Sequence, residues 1–248
     1  MNEFFLQIIL FFYNNIAFKN LGITIIEIAV LTRLLFYPML KQQLSSSQKM
    51  AELKPHLDSL TAKHKDNKQA LQQAQLELYK QHGINPAAGC LPMILQIVIM
   101  IGLLGGMNKI LTMGLNTTFL WWDMAKPDAY KIEGLKFAIP GVLVFISSIA
   151  QYIQSMMMMP IPPKILKVDK PKEQEEKKDF ASSYAESMQS TVWMFPLMFL
   201  FFGDSWPSGL ALYWSVSSIL TIAQQYRITG LGSLKPQVDK LMSITRRT

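Results

Sequence analysis

Five apolar blocks dominate this sequence, at residues 21–40, 90–113, 135–155, 190–206 and 207–226. Each is close to the roughly 20 residues that an α-helix needs to cross a bilayer. The polar residues gather in two long insertions, 41–89 and 156–189, and in a tail at 227–248. A hydrophobic fraction of 50% would suit a soluble domain as well; its segregation into blocks would not. Gly102, Gly105, Gly106, Pro140 and Pro196 fall inside the blocks, where soluble helices avoid them and membrane helices tolerate them. The expectation is an all-α integral membrane protein, residues 1–248 forming one domain with a five-transmembrane-helix core.

Residues 1–18 read differently. Their apolar core, Phe4 to Tyr13, is too short to span a bilayer. No positive leader and no A-x-A site mark it as a cleaved signal. The segment is expected to be an interfacial amphipathic helix lying on the membrane. A single cysteine, Cys90, excludes an internal disulfide.

Charge sets the orientation. Of 24 Lys and Arg residues, 18 lie in the two insertions and the tail. Only Lys19, Lys109, Lys126, Lys131 and Lys136 lie on the other side, and Arg33 stands apart from both sets. The positive-inside rule makes the insertions and tail cytoplasmic. Five spans then leave the N-terminus outside a cell membrane and the C-terminus in the cytoplasm, so span count and charge agree. The net charge of +7 is explained by topology and attraction to anionic lipid, without a sequence-specific nucleic-acid partner.

Residues 41–82 read as a cytoplasmic helical hairpin. Met50, Leu53, Leu57 and Leu60 stripe one arm, and Leu71, Ala74 and Leu78 the other, with "KHKDNKQ" between them. Pro55 should kink the first arm. The hairpin reads equally as a solvated spacer or as a docking arm for a ribosome, targeting factor or other membrane protein. Prolines and mixed charge at 160–180 predict a loop. Met156–Met159 precede it; methionine suits surfaces that meet varied apolar partners, and also fills gaps in bundles.

Only two formal charges lie well inside the apolar blocks, Glu27 and Arg33. Six residues apart, they would differ by about 240° around one helix and by about 9 Å along it. They are not helical neighbours, so Arg33 is expected to lack a fixed carboxylate partner. A lipid-facing arginine is costly, and the remedies are a polar recess or snorkelling to the surface. Arg33 is seven residues from Leu40, about 10 Å of helix, which is a long snorkel. Polar candidates for a recess are Gln96, Gln151, Gln154, Ser215 and Ser217, with Tyr213 and Trp214 offering polar tips. Catalytic patterns are missing: His56, His64 and His82 are all in the hairpin, and there is no H-E-x-x-H or G-x-S-x-G. The reading is therefore of no enzyme, no cofactor and no metal. A transporter is disfavoured because no repeated halves are visible.

The blocks "TRLLFYPMLKQQ", "LKPHLDSLTAKHKDNKQALQQAQLELYKQHGINPAAGCLPMILQ", "FLWWDMAKPD" and "MFPLMFLFF…WPSGLALYWSVSSILTIAQQY" occur in that order. The chain closely resembles the YidC/Oxa family of membrane protein insertases, over nearly its whole length. The resemblance implies a five-helix core without a continuous pore, and a hydrophilic groove open to cytosol and lipid. It makes Arg33 the groove arginine, with Gln96 and Trp214 lining the groove; Gln151, Tyr213 and Ser215, from the polar candidates above, are further candidates for the same groove. It implies that the hairpin receives nascent membrane proteins. The partners it suggests are the Sec translocon, the ribosome and the signal recognition particle pathway. The chain departs from the family in lacking the large extracytoplasmic domain of some members, in Asp204 within "FFGDSWPSG", and in a short tail. The function expected is insertion of nascent proteins into the cell membrane. The alternatives are a chaperone for helices delivered by the Sec translocon, and a solute transporter.

Overall fold

Prolines and short polar breaks divide the chain into helices. The computed structural model describes residues 2–64, 67–84, 91–130, 138–159, 193–194, 196–201 and 205–245. The helices are α1 (Asn2–Asn15), α2 (Leu21–Leu35), α3 (Tyr37–Glu52), α4 (Lys54–Lys63), α5 (Lys68–Gln81), α6 (Leu91–Thr112), α7 (Val142–Met158), α8 (Ser208–Thr229) and α9 (Lys235–Thr245). Residues 196–201 are also helical. Two small antiparallel ribbons join α6 to α7: β1 (Thr118–Phe119) with β2 (Trp122–Asp123), and β3 (Ala129–Tyr130) with β4 (Ile139–Pro140). Cys90, Asp204 and the loop expected at 160–180 lie outside the described residues.

The block expected to form one helix over 21–40 is split. α2 ends at Leu35, and α3 leaves it at 55°. Pro38 sits in the first turn of α3, where its missing N–H leaves no bond unmade. Further along a continuous helix its ring would meet the carbonyl of Leu34. Pro55 acts the same way: α3 stops at Glu52, and α4 begins at Lys54 with the proline in its first turn. The expected hairpin arms then meet through Leu53, Leu57, Tyr79 and Ile84, with Met50 and Leu78 packed alongside. Asn67 starts the return arm, its side chain accepting from Ala70 N at 3.0 Å.

The main core is built from one stripe of each long helix. α1 gives Leu6, Ile9 and Tyr13; α2 gives Leu21, Ile25, Ile28 and Ala29; α6 gives Ile99, Leu103, Met107 and Ile110. α1 docks on α6 at glycines: a side chain on Gly102 would collide with the Phe5 ring, and one on Gly106 with Ile9. Glu3 also pairs with Lys109 across this contact.

Helices α7 and α8 bury polar side chains and expose apolar ones. On α7, Ser147 and Ser148 are buried while Val142, Phe145, Ile146 and Ile149 are exposed. On α8, Ser215, Ser217, Ser218, Thr221 and Gln225 are buried while Ile219 and Tyr226 are exposed. These helices bury apolar residues as well, but so many buried polar side chains depart from the pattern of a water-soluble bundle, and the outward residues leave apolar surface of the kind that meets a membrane or a partner. The buried polar groups also lower the hydropathy of α8. Among the described residues no single helix is long and apolar enough to cross a membrane, while α2 and α3 pass together as a bent pair.

The segment from α6 to α7 closes one end of the bundle. Asp128 is buried; its Oδ2 accepts from Leu143 N at 2.6 Å and its Oδ1 from Trp122 Nε1 at 3.1 Å. It thereby caps α7 from a distance in sequence. Lys126 O accepts from Ser208 N at 2.7 Å, and Met124 O from Gly209 N at 3.0 Å, which serves the first turn of α8.

Candidate functional site

Arg33 continues the buried stripe of α2, one helical turn beyond Ala29. Gln96 lies one turn before Ile99 on the core stripe of α6, by the same spacing. The two therefore converge: Arg33 Nη2 donates to Gln96 Oε1 at 3.1 Å. From α8, Gln224 Nε2 donates to the main-chain O of Arg33 at 3.0 Å. That bond uses the carbonyl next to the α2–α3 break, where helical pairing runs out.

The recess is incompletely paired. Arg33 Nε, Gln96 Nε2 and Gln224 Oε1 are buried without a protein partner, and so is Glu27 Oε2. The ion pairs among the described residues are Glu3–Lys109 and Asp123–Lys126, so Arg33 faces no carboxylate there. Its charge is permanent, and hydrogen-bonding capacity remains for a further polar group. Among the described residues no group of three or more His, Cys, Asp or Glu side chains comes together.

Most of the other predicted site residues lie elsewhere in the bundle. Ser215 Oγ meets Ser147 Oγ at 2.7 Å, and Ser218 Oγ donates to Gln151 Oε1 at 2.7 Å. Ser215 and Gln151 thus belong to a polar seam between α7 and α8, of the kind that holds membrane helices together. Tyr213 is in the main core, close enough to Arg33 for the two side chains to interact electrostatically. Trp214, about 100° further round α8, packs instead with Phe199, Leu210 and Trp206. The Ser217 hydroxyl is buried without a partner, as is Gln154 Oε1. The residue that sequence reasoning missed is Gln224. It sits in the polar pair Gln224–Gln225 near the end of α8, where the sequence alone does not single it out; its bond to Arg33 O does.

Near the hairpin, Met157–Met159 line a cavity of about 330 Å³ with Leu44, Gln48 and Thr229. The methionine run thus faces the bases of α3 and α8.

The family model described as 60Kd inner membrane protein matches residues 11–233. Membrane protein insertase MisCA of Bacillus subtilis (strain 168) is 31% identical over 217 residues, 85% of this chain and 71% of that protein. Membrane protein insertase YidC of Francisella tularensis subsp. novicida (strain U112) is 33% identical over 234 residues, 92% of this chain. This chain spans 36% of the length of that Francisella protein.

Proposed function

The chain belongs to the 60Kd inner membrane protein family of YidC-type membrane protein insertases, and from that premise we propose that it inserts nascent proteins into the cell membrane through a polar recess built on Arg33. The observation that carries this reading is a permanent charge on the buried stripe of α2, held by Gln96 and by no carboxylate among the described residues. Such a charge is costly unless something polar meets it.

In this reading α2, α6, α7, the block at 190–206 and α8 are the five spans, and α1 lies at the interface. The hairpin and the tail are cytoplasmic, and the N-terminus is outside. A client's polar, often acidic, outer tail enters the recess, where Arg33 attracts it for a short time. The client's apolar segment meanwhile moves into lipid along exposed α2, α6 and α7 faces. Free donors and acceptors on Arg33, Gln96 and Gln224 give the tail alternatives to bulk water. No covalent bond is made or broken. The hairpin receives clients, and the Sec translocon, the ribosome and the signal recognition particle pathway are its candidate suppliers.

Reconstitution of the purified chain alone into liposomes tests the reading. Insertion of a Sec-independent single-span substrate is expected. Failure to insert, with folding help retained for helices already delivered, would make it a chaperone. Solute flux under a gradient would make it a transporter.

A further inference from the structure

At the end of the bundle away from the α4–α5 hairpin, two non-glycine residues hold left-handed backbone while turning large apolar side chains outward. Phe18 has φ 50° and is 91% exposed; Leu120 has φ 55° and is 65% exposed. Left-handed backbone is disfavoured for any L-residue with a Cβ, and at the first central position of a two-residue hairpin turn it is normally given to glycine. Trp121, beside Leu120, is 74% exposed.

Neither site is a loose tip. Asn20 joins them, its Oδ1 capping α2 at Ile23 N and its Nδ2 donating to Thr118 O. Phe119 packs so closely on Gly22 that a side chain there would overlap its ring. The Phe18 turn and the β1–β2 turn are therefore one rigid platform. In water it would combine strained backbone with exposed hydrocarbon, and such arrangements persist where surroundings over-determine them and function uses them.

The platform has the composition of a bilayer boundary. Leu120 and Phe18 offer hydrocarbon, Trp121 an amphipathic ring, and Lys19, exposed at φ 56°, an ammonium for lipid phosphates. The exposed apolar face of α7, from Val142 through Phe145 to Ile149, starts at the same end and leads away from it. The surface thus continues into the flank that the insertase reading gives to lipid. We propose that Phe18, Leu120 and Trp121 form an interfacial anchor, seated in the headgroup–acyl boundary, that sets the depth of Arg33. The anchor rests on the reading of the chain as a membrane-spanning insertase. Along α2, Arg33 lies twelve residues beyond Leu21, or about 18 Å, which is just past the middle of a hydrocarbon core of about 30 Å.

The test uses the full chain with Cys90→Ser, an NBD fluorophore on a single introduced cysteine, and phosphatidylcholine vesicles. The vesicles carry nitroxide either on the lipid headgroup or at the acyl-chain end. At Trp121→Cys the headgroup nitroxide is expected to quench about twofold more than the chain-end one. At Ile149→Cys, seven residues or about 10 Å along α7 from Val142, the order should reverse. If Ile149→Cys is quenched and Trp121→Cys is touched by neither lipid, the anchor is wrong while the membrane reading stands. That result would also be given by a protein partner covering the tip. If neither site is quenched, the membrane reading fails and takes the anchor with it. For depth, a reporter at Leu34→Cys is compared with and without Phe18→Asn, Leu120→Asn and Trp121→Ser. Asparagine tolerates left-handed backbone, so both turns are kept. The chain-end to headgroup quenching ratio at Leu34→Cys should shift when the anchor is removed, and an unchanged ratio would overturn the depth-setting role.

Discussion

Asp128→Ala should loosen the closed end of the bundle. The carboxylate accepts from Leu143 N at 2.6 Å and from Trp122 Nε1 at 3.1 Å, and its own main-chain O accepts from Gly141 N at 2.6 Å. Alanine keeps the last bond and removes the first two. The first is a charge-assisted bond at a helix N-terminus, worth about 2 kcal/mol. The second strands an indole N–H, at a cost of about 1 kcal/mol. The sum of about 3 kcal/mol corresponds to a melting temperature lower by roughly 6–12 °C for a chain of this size. Asp128→Asn keeps one acceptor and should lose about half as much. The assay is thermal unfolding in detergent, followed by tryptophan emission and by the monodisperse fraction on size exclusion. An alanine variant melting within about 2 °C of the parent would refute the long-range cap.

Other perturbations probe neighbouring elements. Asp123 has its carboxyl held below the usual range, chiefly by the Thr117 hydroxyl at 2.7 Å, against desolvation and helped by Lys126 and Ala125 N. A lowered folded-state pKa contributes stability above the unfolded value of about 4 and loses it as pH falls through the folded value. Melting temperature should therefore fall on acidification below about pH 4, and Asp123→Asn should flatten that part of the profile. Gly102→Ala puts a methyl group into the Phe5 ring. It should cost about 1–3 kcal/mol and expose α1 to limited proteolysis; undiminished protection would show that the ring moves aside freely.

Much of this architecture was legible because its causes are local. Pro55 announces a kink in the first hairpin arm, and the Met50–Leu57 stripe announces the arm itself. The bend after Leu35 was hidden because the apolar composition runs on through it. Arg33 stood out as a lone charge in an apolar run, and its spacing from Glu27 fits an arginine without an ion pair among the described residues. What the sequence withheld was the face each polar residue takes. In α7 and α8 polar and apolar residues are buried together, so from the sequence Gln151 and Ser215 looked equivalent to Gln96. Geometry separates them: Gln96 turns to Arg33, whereas Gln151 and Ser215 bond across the α7–α8 seam. Tyr213 and Trp214 are adjacent on one helix, so they cannot share a face. Gln224 was missed because it sits among ordinary polar residues near the end of α8, and only its bond to Arg33 O distinguishes it.

The most direct test of the central role given to Arg33 compares two clients that differ only in the charge of the outer tail. Two unit charges 4 Å apart at an effective dielectric of about 20 attract by roughly 4 kcal/mol before desolvation. A net third of that, about 1.4 kcal/mol, is a factor of ten. In proteoliposomes containing the purified chain alone, Arg33→Ala should slow insertion of the acidic-tailed client about tenfold, with little change for the neutral-tailed one. Arg33→Lys should keep most of the activity. Insertion of the acidic-tailed client by Arg33→Ala at the parental rate would contradict the account.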